Sequence, residues 1–289
     1  MHDAGPLGSA TVVVLGLLSA VSFGSADFGG GFTSRRLPVL GVALTGQLVG
    51  CGLALVAAVV AREPVPDLVP LALGAAAGAC GVLGVLSLYY GLAVGRMGVV
   101  APVTGVLGAA LPVVAALLVE GAPPTIVSIG MVLALVAVVI VSRAPTVESR
   151  RSGIEFALLG GALIGAFNVI IGRLPAGVVW WPLVSLKVTA ATLIVLTVLL
   201  GRRPWRLLPR MVPAVVGVGL GDMAGNALYV LATQAGRLDV AAVLSSLYPV
   251  VTVILAIAVL REHVGRRHAM GIGLAALGVA LISAGSNAA

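Results

Sequence analysis

Long apolar runs alternate with short polar interruptions along the whole chain, and the runs set the architecture. Ten of them stand between breaks of charge, proline and glycine, at roughly 9–32, 38–61, 69–93, 98–119, 123–142, 152–173, 178–200, 210–234, 239–260 and 267–286. An apolar helix of about 20 residues crosses the hydrocarbon of a bilayer, so each run predicts one span. Pro38, Pro70, Pro123, Pro124 and Pro213 fall near predicted helix starts, where a missing N–H costs least. Pro102, Pro112, Pro182 and Pro249 fall within or near the ends of spans. Those inside a helix predict kinks, with neighbouring groups satisfying the freed carbonyls. The predicted fold class is an all-α polytopic membrane protein of ten transmembrane helices.

Composition sharpens this picture. Sixty per cent of the 289 residues are hydrophobic and 9% are charged, against about a quarter charged in a soluble domain. No soluble core hides so much apolar surface, so lipid must be the solvent. The runs and their short loops leave no room for a soluble domain. Abundant Gly and Ala let helices approach closely where packing replaces the hydrophobic drive. The first run, Thr11 to Ala20, is preceded by no Lys or Arg and followed by Arg35 and Arg36. A cleavable signal has the opposite order, so a retained span is expected.

Sliding the chain by 141 residues against itself gives an ungapped match. Gly24 meets Gly165, Asp27 meets Asn168, and Gly31 meets Gly172. Gly95-Arg96 meets Gly236-Arg237, and Gly130 meets Gly271. Two repeats of five helices follow, 1–145 and 146–289, joined by the charged stretch Arg143 to Arg151. An odd number of helices inserts the second repeat upside down relative to the first, the arrangement of many secondary transporters.

The net charge of +7 first suggests nucleic acid, but nearly all of it is Arg in short loops. Thirteen arginines lie after odd-numbered helices, and only Arg62, Arg173 and Arg237 on the other side. The positive-inside rule then places the odd loops in the cytoplasm of a cell-membrane protein and both termini outside. No nucleic-acid partner is expected. Cys51 and Cys80 fall inside spans and read as small buried packing residues. No Cys/His cluster has metal spacing, and neither metal nor cofactor is expected.

The ends of the two repeats read GRMGVVAPVTGVLGAALPVVAALLVEG and GRLDVAAVLSSLYPVVTVILAIAVLREHVG. With two five-helix repeats and short loops, they resemble the drug/metabolite transporter superfamily, in particular its EamA branch. That pattern is a small-residue helix with a central Pro, a Glu at its end, and a Gly-rich closing helix. Pro249 and Glu262 fit it, Pro112 and Glu120 less closely, and Gly108 stands opposite Pro249 in the first repeat. The resemblance spans essentially the whole chain and implies a ten-helix transporter, without naming a substrate.

Charge buried within the runs marks the candidate site. Lys187 lies about 13 Å into helix 7, and Asp222 about 18 Å into helix 8 from the other side, both near the midplane of a core about 30 Å thick. A charge there must be paired, wetted by a cavity or neutralised. The pair could hold a charged substrate group or exchange a proton; a closed structural ion pair is the alternative. Gln47 lies at similar depth in helix 2, one position from the repeat counterpart of Lys187. Asn226 follows Asp222 by one turn on the same face. Tyr248 is expected near the midplane of helix 9, with its hydroxyl facing the interior. These five residues are the candidate substrate-binding set. Asp27 and its mate Asn168, near the ends of helices 1 and 6, are candidates for gating or proton coupling. A surface ion pair of Asp27 with Arg35 and Arg36 is the alternative. Tyr89, Tyr90, Tyr229, Trp180 and Trp181 read as an interfacial aromatic belt. Arg96 and Arg237 read as topology signals in short turns.

The glycine clusters DFGGG and GLGDMAG lack the strand and soluble helix of a nucleotide loop, and read as close-packing sites. No GxxxxGK[ST], HExxH or GxSxG occurs, so neither ATP coupling nor intramembrane proteolysis is indicated. The expected function is secondary transport of small metabolites or drugs, outward in direction, by a monomer. A channel or facilitator is the alternative, and an intramembrane enzyme a distant one.

Overall fold

Lipid offers no partner to a backbone N–H or C=O, so each apolar run must satisfy its own by coiling into a helix. The computed structural model describes residues 6–34, 36–94, 97–142, 153–260 and 266–286. Among these residues there is no strand. The helices are α1 (Pro6–Ser34), α2 (Val39–Val60), α3 (Leu68–Val94), α4 (Met97–Glu120), α5 (Thr125–Ser142), α6 (Ile154–Ile171) and α7 (Trp180–Gly201). A short 3-10 turn, Pro209–Met211, leads into α8 (Val212–Ala235). Then follow α9 (Leu238–Ser245), α10 (Tyr248–Leu260) and α11 (Arg266–Ser286). Eight stretches of described helix are long and apolar enough to cross a membrane. The linker Arg143 to Arg151, with Arg35, Arg96 and Glu262, lies outside the described residues.

The ninth run is two helices, not one. Pro249 has no N–H to give the carbonyl one turn back, so the ladder cannot run through. Leu247 N–H instead bonds Leu244 O in a tighter turn, and Ser246 Oγ donates to Val243 O at 2.7 Å. By contrast, α4 remains a single helix through Pro102 and Pro112.

The helices pack as α1 on α8, α3 on α6, α4 on α6, α1 on α9 and α10, α2 on α7, and α5 on α11. α7 also packs on α3, and α8 on α2. Missing side chains set the closest approaches: a Cβ at Gly225 would stand 2.6 Å from the Phe23 ring, and one at Gly84 2.9 Å from Ile164 Cγ1. Serine and threonine hydroxyls tie neighbours together, as Ser19 to Gly225 O, Ser87 to Phe156 O and Ser185 to Leu71 O. On the outside, Leu118 is 81% and Leu200 85% exposed. So much apolar surface is stable only against an apolar solvent.

Candidate functional site

Lys187 is the only lysine in the sequence and the only basic residue away from the ends of the apolar runs. It sits mid-way along α7 with 1% of its side chain exposed. α2 makes room for it: a Cβ at Gly50 would stand 3.0 Å from Lys187 Cε and 3.3 Å from Cδ. Its ammonium forms an ion pair with Asp222 Oδ2 on α8. Asn226, one turn on, donates through Nδ2 to the Asp222 carbonyl at 2.7 Å and to Oδ1 at 3.2 Å. The pair thus joins α7 to α8 under a glycine of α2. A buried ion pair survives in low dielectric only with supporting bonds of this kind.

Asp222 is 31% exposed although its partner is 1% exposed, so the acid stands at the edge of the interior and the base within it. Asp27 of α1 is exposed as well. Its neighbour Ala26 packs on Gly221, the residue before Asp222, where an added Cβ would be 3.3 Å from Ala26 Cβ. Asp27 precedes the end of α1 by seven residues and Asp222 follows the start of α8 by ten, about 10 and 15 Å from the same arginine-rich end.

The opposite end is tied together by the side chains of Glu63, Gln234, Arg237 and Glu120. Glu63, after α2, accepts the N–H groups of Val179, Trp180 and Trp181 at 3.1–3.2 Å, and Trp181 Nε1 donates to Glu63 O at 2.9 Å. An acid at a helix N-terminus satisfies orphan donors and favours the dipole. It therefore fixes the helix that carries Lys187. Gln234 Nε2 donates to Pro175 O and Val178 O, while its Oε1 accepts from Gly177 N–H. Arg237 donates to Gly121 O at 2.6 Å and, through Nε and Nη2, to the fully buried Asp239 at 3.1 and 2.8 Å. The bond to Asp239 holds the guanidinium above its ordinary pKa against the opposing effect of burial. Glu120 Oε2 accepts from Leu238 N–H at 3.2 Å.

Lys187, Asp222 and Asn226 therefore meet, with Asp27 beside them. Gln47 lies one turn before Gly50 with its Oε1 buried. Asn168 lies elsewhere: its Nδ2 donates to Gly108 O, and its carbonyl accepts from Tyr229, tying α6 to α4 and α8. Tyr248 opens α10 at the break in the ninth run, half-buried, not deep in one continuous helix.

Three expectations are corrected. Tyr229 is 1% exposed and donates to Asn168 O at 3.1 Å, so it is an interior tie and not part of an aromatic belt. Arg237 is a structural clamp, beyond any topology signal. Cys51 and Cys80 are free thiols but only partly buried. Tyr90 is 54% exposed and packs edge-on against Phe156, as a belt residue would. Glu63, Gln234 and Asp239 were not foreseen. Only Asp239 carried a local signal, an acid in the first turn of a helix just after an arginine.

One solved crystal structure superposes on 94% of this chain and 96% of its own with a TM-score of 0.74, at 19% identity. That likeness shows the fold. No curated protein matches the chain. Residues 151–284 match the model of the EamA-like transporter family. These residues hold α6 to α10 and nearly all of α11, and with them Lys187, Asp222 and Asn226. The second half of this multi-pass membrane chain is thus similar to the EamA-like transporter family, of the drug/metabolite transporter superfamily.

Proposed function

We propose that the chain is a secondary-active carrier of small metabolites or drugs, working by alternating access around the Lys187–Asp222–Asn226 cluster. The observation that carries this reading is the cluster itself: an ion pair with a supporting amide inside an apolar bundle, its acid partly exposed and its base buried. Such a site is costly in lipid unless it handles a polar cargo. Gln47 and Tyr248 complete the proposed binding set. Asp27 serves as a gate or proton site in this reading, and Asn168 as its counterpart in the other half.

The proposed frame is ten spans in two inverted repeats, 1–145 and 146–289. Tertiary contacts at the 141-residue offset support it. Thr104 Oγ1 bonds Ala157 O at 3.2 Å, and Ser245 Oγ bonds Gly16 O at 3.5 Å; both partners shift by 141. Gly84 on Ile164 and Gly225 on Phe23 are related in the same way. A two-fold repeat supplies two interconvertible packings of one bundle, as alternating access requires. In this reading a cleft beside Asp222 opens at the arginine-rich end, which the positive-inside rule assigns to the cytoplasm. Loading from that side corresponds to export across the cell membrane by a monomer with both termini outside.

A thermal-shift screen of metabolites and drugs on wild type and Asp222→Asn supplies candidate ligands. Counterflow of a hit into liposomes holding purified protein then tests transport. Saturable counterflow lost in Lys187→Ala, with normal insertion, is the expected result. Unsaturable conductance, or full activity of Lys187→Ala, refutes it.

A further inference from the structure

Charge in the cleft does not balance. Lys187 is held by Asp222 on one side and covered by Gly50 on the other. Asp27 stands beside that pair with no cation of its own among the described residues. The elements packed against α1 bring none to it. α2 has no charged residue and α8 brings Asp222. Asp239 of α9 is taken by Arg237. α10 has no charge, and Arg266 and Arg267 of α11 are exposed at its first turn. Among the described residues one carboxylate of the apolar spans is therefore in excess, and a charge within a span needs a counter-charge.

A second observation is independent of charge. Asn226 is 3% exposed, and its Oδ1 has no hydrogen-bond partner among the described residues. Gln47 Oε1, on the α2 face that carries Gly50, is likewise buried without one. Unsatisfied buried acceptors are rare in folded proteins and call for an explanation. Both are oxygens, so the site lacks donors, not acceptors. An anionic cargo would need Lys187, which is enclosed and already committed.

We infer that the cleft takes a monocationic organic amine with N–H donors, a primary or secondary ammonium. Its charge is met by Asp27 and Asp222, and its N–H groups by the amide oxygens of Asn226 and Gln47. A neutral alcohol satisfies the acceptors but leaves the charge. A quaternary ammonium satisfies the charge but leaves the acceptors, and a carboxylate satisfies neither. This inference rests on the transport-site reading and adds the class of cargo to it.

The test uses the full chain in detergent and matched probes on aryl and alkyl scaffolds: phenethylammonium and hexylammonium, their alcohols, their carboxylates and their trimethylammonium analogues. Binding is read by titration calorimetry. The ammonium forms are expected to bind about tenfold or more tighter than the other three, the value of one charge-assisted hydrogen bond. Asp27→Asn is expected to lose that preference while keeping the thermal stability of wild type or better. The inference is overturned if no ammonium binds, if an alcohol or carboxylate binds as tightly, or if Asp27→Asn leaves the preference unchanged. Counterflow separates the two readings. An ammonium that binds at the acids but is never carried defeats transport alone. A carried anion that needs Lys187 defeats the cationic class alone.

Discussion

The asymmetry of the Lys187–Asp222 pair makes a quantitative prediction. Lys187 is 1% exposed and Asp222 is 31% exposed. Asp222→Asn strips the ammonium of its counter-charge where water cannot reach it, at a cost of about 3–5 kcal/mol. Lys187→Met leaves a carboxylate that keeps water and the Asn226 Nδ2 donor, and it fills the space on Gly50 with apolar volume. Its cost is about 1–2 kcal/mol, the value of a lost partner at a group still solvated. The double variant removes both charges and should lie within about 1 kcal/mol of wild type, because apolar replacement of a buried pair is often near neutral. The coupling energy is then about 3 kcal/mol or more. Unfolding in graded sodium dodecyl sulfate, followed by helical circular dichroism, gives the four stabilities. If Lys187→Met costs as much as Asp222→Asn, or the two add in the double variant, the exposed-acid, buried-base geometry is wrong.

Three further outcomes follow from the contacts. Glu63→Ala removes the acceptors for three N–H groups at the start of α7 and should cost about 1–2 kcal/mol in the same unfolding assay; Glu63→Gln, which keeps an accepting oxygen, should recover part of it. Arg237→Ala leaves the fully buried Asp239 unpaired, which is expected to cost about 3–5 kcal/mol. Hydrogen exchange at 236–240 should rise as the end held by Arg237 loosens, and unchanged protection would remove Arg237 from that tie. Gly225→Leu drives side-chain atoms into Phe23, and Gly84→Leu does the same to Ile164, each costing about 1–3 kcal/mol. A large cost at one and none at the other would count against equivalent halves.

What was legible in the sequence was whatever lipid forces to be local. A span must be apolar over its own length, so the ten runs locate the helices to within two or three residues. A charge within a span is conspicuous, so Lys187 and Asp222 stand out, and helical spacing alone brings Asn226 to Asp222. The break in the ninth run was half legible: Pro249 gave the cause, but whether a helix kinks or splits depends on who takes the freed carbonyls. Pro102 and Pro112 show the other outcome in α4. The ties at the Glu63 end were illegible because their partners are distant. Glu63 reaches across more than 110 residues to cap a helix whose own first residues offer no cap. Tyr229 sits six residues from the end of α8, where a belt is the default, yet α6 covers it. Pattern assigns a depth to each residue but not a neighbour. A buried site is made of neighbours, which is why the sequence yields two charged residues and the fold is needed to show that they pair beneath Gly50.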